Sequence, residues 1–170
     1  MSTERVSFKT EDGLILAGLL SQCGEDSRYC VVIVHGNASN KERSSATDVA
    51  VELSKRGIDN LRIDIDGCGE SEGLFEDQTF TRTVHDVDAA ITFLVARGYE
   101  NISLYGASAG GCTALATALK HPEIFRLGCK SPTSDYPAIK IARWGQEYVD
   151  DWKKNGFAIH YHSDGRELKI

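Results

Sequence analysis

Six small residues, Gly106-Ala107-Ser108-Ala109-Gly110-Gly111, constrain this chain more than any other segment. They stand between a short apolar run, Ile102–Tyr105, and an Ala- and Leu-rich helical stretch, Ala109–Lys120. A turn that passes directly from strand to helix leaves little room for side chains, and every position flanking Ser108 is Gly or Ala. Ser108 then stands at the tip with its hydroxyl exposed, and the first N–H groups of the following helix point toward any negative charge that develops there. A G-x-S-x-G in a strand–turn–helix setting is the signature of a nucleophile elbow. The competing reading is a plain Gly-rich turn in which Ser108 only caps the helix. A phosphate cradle fits poorly. No G-x-x-x-x-G-K-[ST] occurs, and Gly67-Cys68-Gly69-Glu70-Ser71-Glu72-Gly73 lacks the G-x-G-x-x-G spacing and carries two glutamates that would repel phosphate.

The rest of the pattern supplies a sheet for that turn. Arg5–Thr10 and Leu14–Leu20 read as strands joined by Glu11-Asp12-Gly13, since Asp-Gly between apolar runs is a hairpin signal. Tyr29–Val34 is a continuous apolar run, the mark of a strand buried on both faces. Helical spacing follows over Lys41–Arg56, then a strand at Leu61–Ile65. A second helix spans Thr79–Arg97, with Val84, Val87, Ala90, Ile91, Leu94 and Val95 at intervals of three and four. Phe125–Lys130 reads as a strand, Tyr136–Asn155 as one helix and Phe157–His162 as a strand. An N-terminal hairpin followed by strand–helix alternation predicts an α/β fold, a mainly parallel sheet with helices on both faces. Ligands bind such sheets at the carboxyl ends of the strands. Three Gly-rich strand ends lie there: His35-Gly36, Asp64–Gly73 and Gly106–Gly110.

Composition narrows the partners. The chain has 170 residues, 41% hydrophobic, enough for one domain with its own core. A net charge of −6 argues against nucleic acid or an anionic membrane surface. No apolar run approaches a membrane span, and Met1–Arg5 opens no signal peptide. Cys23, Cys30, Cys68, Cys112 and Cys129 form no C-x-x-C pair, so they read as reduced thiols of a cytoplasmic protein, with no metal site among them.

Three motifs in order carry a family resemblance: Val34-His35-Gly36-Asn37, then Arg62-Ile63-Asp64-Ile65-Asp66-Gly67-Cys68-Gly69-Glu70-Ser71-Glu72-Gly73, then the Ser108 turn. Together they resemble the α/β-hydrolase superfamily, above all its serine-aminopeptidase-like and feruloyl/cinnamoyl-esterase-like branch, over about residues 5 to 135. Phe75-Glu76 and Thr79 match the same pattern, whereas Cys68 stands where that branch commonly has His. The resemblance implies a serine hydrolase acting on a small carboxylic ester or an amide, without a cofactor. It implies Ser108 as the acyl-accepting nucleophile, with the amides of Ala109 and Asn37 as the oxyanion hole. It assigns His35 to support of the oxyanion loop, and Gly67, Gly69 and Gly73 to a tight loop near the site.

A serine needs a base, and the base needs an acid to orient it. In this superfamily both follow the serine in the chain, the acid after the seventh strand and the histidine after the eighth. Residues 109–170 hold one clear strand, which would be the sixth, so the last strands are missing from the pattern. The candidates in reach are Asp135 as acid and His160 or His162 as base. Each has a plainer reading: Asp135 as a helix cap, the histidines as exposed strand residues. Residues 1–170 therefore read as one α/β-hydrolase-like domain, with 136–170 as the start of a cap or a remodelled C-terminus. Three functions stay open: an active serine hydrolase, a degenerate hydrolase fold serving as a binding or interaction module, and an unrelated ligand-binding domain. A sixth strand left at the sheet edge would need cover from Phe157–His162, another chain or a homodimer partner.

Overall fold

The computed structural model of the chain describes residues 2–24, 27–161 and 167–169. Strands β1 (Ser2–Lys9) and β2 (Ile15–Gln22) form the expected hairpin, in register from Ser2 opposite Gln22 to Lys9 opposite Ile15. Then come β3 (Tyr29–Val34), α1 (Ser44–Lys55), β4 (Asp59–Ile63), a 3₁₀ turn at Phe75–Asp77, α2 (Phe80–Ala96), β5 (Asn101–Ala107), α3 (Ala109–Lys120) and β6 (Arg126–Lys130). Two helices, α4 (Tyr136–Trp144) and α5 (Gln146–Asn155), and two short strands, β7 (Ile159–Tyr161) and β8 (Glu167–Lys169), follow. The main sheet runs β1-β2-β4-β3-β5-β6. Strands β4, β3, β5 and β6 are mutually parallel, and β2 joins β4 antiparallel.

The apolar run of β3 divides between two faces, as a doubly covered strand must. Val32 and Val34 pack with Leu61, Ile63, Leu104, Val87 and Leu94 on the side of α2. Val31 and Ile33 pack with Ala46 and Ala50 of α1 on the other. Helix α2 buries Val84, Val87, Ala90, Ile91 and Leu94, the face its spacing predicts, while Val95 is exposed. Thr79 opens that helix, its hydroxyl accepting the Arg82 N–H at 3.2 Å.

Several expectations need correction. Helix α1 starts at Ser44, not Lys41, because Lys41 is drawn out of the helical path into a buried ion pair with Asp64. The single helix over Tyr136–Asn155 is two. Gly145 adopts φ 90° and closes α4 by donating its N–H to Ile141 O, a backbone conformation that only glycine enters without strain. Among the described residues, the expected strand over Phe157–His162 does not cover the sheet edge, and His162 itself lies outside them. Strand β7 pairs instead with β8, opposite in register from Ile159–Lys169 to Tyr161–Glu167, in a separate two-stranded ribbon. Strand β6 thus lies at the edge of the main sheet, with Leu127 partly exposed and Cys129 open to solvent.

Candidate active site

Ser108 sits between the last residue of β5 and the first of α3, with φ 53° and ψ −119°. This is the left-handed region, costly for a residue with a Cβ, and it turns the side chain outward. Two glycines permit it. A Cβ on Gly106 would meet Gly110 O at 2.1 Å, and one on Gly110 would meet His35 O at 2.2 Å. The small residues of the motif are therefore required by backbone packing against the end of β3, apart from any chemistry. The Ser108 N–H donates to Lys130 O of β6 at 2.9 Å, and Ser108 O accepts the N–H groups of Gly111 and Thr133. Ser108 Oγ lies 3.3 Å from the hydroxyl of Thr133.

The loop after β3 faces this turn. Gly36 packs so closely that an added Cβ would lie 3.3 Å from Ser108 Cβ. Asn37 and Ala109 line one cavity with Ser108, about 190 Å³ in volume, together with Gly36, Ala38, Thr133 and α4. Among the described residues, neither the Asn37 nor the Ala109 amide N–H has an acceptor. Two such donors beside an exposed hydroxyl are what a tetrahedral oxyanion needs. A larger cavity of about 400 Å³ continues from Asn37 and Ala109 past Phe75, Phe80 and Thr113 to Trp152.

The loop is fixed from below. His35 is 1% exposed, and its Nε2 accepts the Ile65 N–H at 3.3 Å. Nδ1 therefore carries the proton and donates to Gly36 O at 2.7 Å. Burial holds this imidazole below the usual histidine pKa, so it stays neutral and supports the loop, the role the resemblance implies. Lys41 Nζ bonds Asp64 Oδ2 at 2.5 Å and Glu70 Oε2 at 2.7 Å, and its own N–H donates to Asp64 Oδ1. Burial disfavours the Lys41 charge, but these carboxylates outweigh it and keep the ammonium above its ordinary pKa. The segment from Asp64 onward turns through Gly67, Gly69 and Gly73, all at positive φ. Cys68 is buried, its thiol pushed up to about 12 mainly by desolvation, which makes it a packing residue and not a nucleophile.

The structure does not bring a base to Ser108 among the described residues. Asp135 is the N-cap of α4, its Oδ1 accepting the Ala138 N–H at 2.9 Å, the plainer of its two readings. His160 lies on β7 opposite Leu168, and His162 lies outside the described residues. His121 is bound to Asp88 and Glu123, and His85 is exposed on α2. Among the described residues no group of His, Cys, Asp and Glu is placed to hold a metal ion, and no helix is long and apolar enough to cross a membrane.

Sequence reasoning missed Tyr136 and Lys140, which line both cavities, and Arg143 and Trp144 beside Ser108. The available signal was the spacing: Tyr136, Lys140 and Trp144 recur every four residues on one helix face.

A six-stranded sheet in this order, with a serine at a strained strand–helix turn, is the framework of an α/β hydrolase. The family model described as "Serine aminopeptidase, S33" matches residues 25–162, and the chain belongs to that family. The polyketide transferase ATR5 of Stachybotrys chlorohalonatus is 34% identical over 140 residues, 80% of this chain and 46% of that protein. The chain thus spans about half the length of this relative. Est1E from Butyrivibrio proteoclasticus, solved with ferulic acid bound, superposes with a TM-score of 0.77 at 24% identity, covering 96% of this chain and 67% of that one. The Pyrococcus furiosus esterase Pf2001 superposes with a TM-score of 0.73 at 25% identity, covering 88% and 57%.

Proposed function

We propose that the chain carries the nucleophile and oxyanion hole of a serine hydrolase that cleaves carboxylic esters through an acyl-enzyme on Ser108. The observation that carries this reading is the left-handed Ser108 beside two amides that lack acceptors among the described residues. In the reaction, Ser108 Oγ attacks the ester carbonyl and loses its proton to a base. The carbonyl oxygen becomes an anion held by the Asn37 and Ala109 N–H groups, and collapse expels the alcohol. Water then attacks the acyl-enzyme by the same route. The base is assigned to a histidine downstream in the chain, as in the family, with His160 and His162 as the candidates on this stretch. The Pf2001 esterase, at 25% identity, supports an ester substrate over an amide.

A second reading has its own observation. Ser108 Oγ is partnered by Thr133, and no described histidine pairs with it, as in a fold that binds an acyl compound without cleaving it. Hydrolysis of para-nitrophenyl acetate separates the two. The hydrolase reading expects turnover above buffer that Ser108→Ala removes. It expects His160→Ala or His162→Ala to slow acylation by about a thousandfold or more if that residue is the base. Equal rates for wild type and Ser108→Ala would favour the binding module.

A further inference from the structure

The chain has two tryptophans, and both meet the same buried cation. Lys140 Nζ lies 4.2 Å from the ring centre of Trp144 and 5.4 Å from that of Trp152. Lys140 is 7% exposed. Among the described residues, the contacts of its ammonium are these two rings, and no carboxylate, carbonyl or hydroxyl pairs with it. An ammonium has three donors to satisfy, and ring faces satisfy none of them as an oxygen would. Burying a charge without a counter-charge is costly, and chains rarely keep such a group for packing alone. Burial, with Arg143 close by, depresses its pKa.

What Lys140 faces decides its use. It lines the cavity that holds Ser108, Asn37 and Ala109, and Arg143 lines the same cavity. Among the described residues, no aspartate or glutamate lines that space, and Glu76 is the carboxylate lining the larger cavity beyond it. Lys140 also borders the larger cavity that continues from Asn37 and Ala109, so it stands where the two meet. The Trp144 and Trp152 rings give the cation a fixed place without neutralising it.

We propose that Lys140, assisted by Arg143, is a carboxylate-recognition site, so that the ester this fold takes carries a negative charge on its acyl group. The substrate half of this statement rests on Ser108 as nucleophile; the binding half does not. A carboxylate entering the cavity would supply the missing acceptor and the missing counter-charge together. A cavity of about 190 Å³ suits a short chain ending in such a group.

The test uses the full chain with Ser108→Ala, so nothing is turned over. Trp144 and Trp152 flank Lys140, and tryptophan emission therefore reports on the site directly. Hexanoate and hexanamide share a shape and differ in charge. Hexanoate is expected to change the emission at concentrations about tenfold or more below those hexanamide needs. Lys140→Met, which keeps the stem length, should remove that preference, and Lys140→Arg should keep it. Far-UV circular dichroism confirms folding of each variant; if Lys140→Met fails to fold, Lys140→Gln takes its place. Equal responses to the two ligands, or a preference that survives loss of the Lys140 charge, would overturn the proposal. Because binding is read without chemistry, failure of Ser108 as a nucleophile shows only in ester turnover and not in this titration.

Discussion

Ser108 owes its conformation to its neighbours. Gly110, in the first turn of α3, packs against the end of β3 with no room for a side chain, and that packing sets how closely the loop after β3 approaches the serine. Gly110→Ala would place a methyl 2.2 Å from His35 O. It is expected to lower unfolding stability by about 2–3 kcal/mol, measurable by urea denaturation, because neither backbone can yield. The same residue shows why the serine was legible in the sequence: steric need forces small residues at fixed offsets, and fixed offsets can be read without a structure. Asn37 was named only through the family resemblance, which implies an oxyanion donor after His35-Gly36. Lys140 was legible as one residue of a helix face shared with Tyr136 and Trp144, but not as a buried group. A lysine in Pro137-Ala138-Ile139-Lys140 reads as any helix-surface lysine, and only the rings of Trp144 and Trp152, the second on a different helix, bury it.

At the scale of elements, helix α2 carries a charge problem of its own. Asp86 is buried, and its Oδ2 accepts the Asp66 N–H at 2.9 Å. Desolvation, with the Asp66 carboxylate adding to it, pushes Asp86 up to about 7. The folded chain therefore holds a proton that the unfolded chain releases near pH 4. The stability this proton gives is complete at or below that pH and is lost as pH rises through about 7. Asp86→Asn keeps an acceptor for the Asp66 N–H and removes the charge. Thermal melts should show it more stable than wild type at pH 8 by about 1 kcal/mol, a few degrees in Tm, with the gap closing toward pH 5. The apolar face of α2 was plain from its spacing, but a buried aspartate breaks no periodicity and left no mark. The break at Gly145 was equally hidden, because helical spacing runs on through α4 and α5 and only the glycine's φ separates them. The ribbon of β7 and β8 shows the limit of local pattern: alternation over Phe157–His162 announces a strand without saying which strand it pairs with.

For the whole molecule, the sheet order brings the ends of β3, β4 and β5 together, and the three Gly-rich segments meet there as the alternation required. That much of the architecture follows from strand and helix periods and the rule that places sites at strand carboxyl ends. The outer side of β6 could not be read the same way, because an edge is defined by what does not pair with it. The chain spans 46% of ATR5, and its sheet among the described residues ends at β6, one strand beyond the one that leads into Ser108. The proposed hydrolase therefore depends on whether Ser108 is reactive in the company this chain provides. The most direct measurement is labelling of the folded chain with a fluorophosphonate, read by intact mass and peptide mapping. A single adduct on Ser108 that Ser108→Ala abolishes is expected. A folded chain that takes no label, or a label that persists in Ser108→Ala, would contradict it.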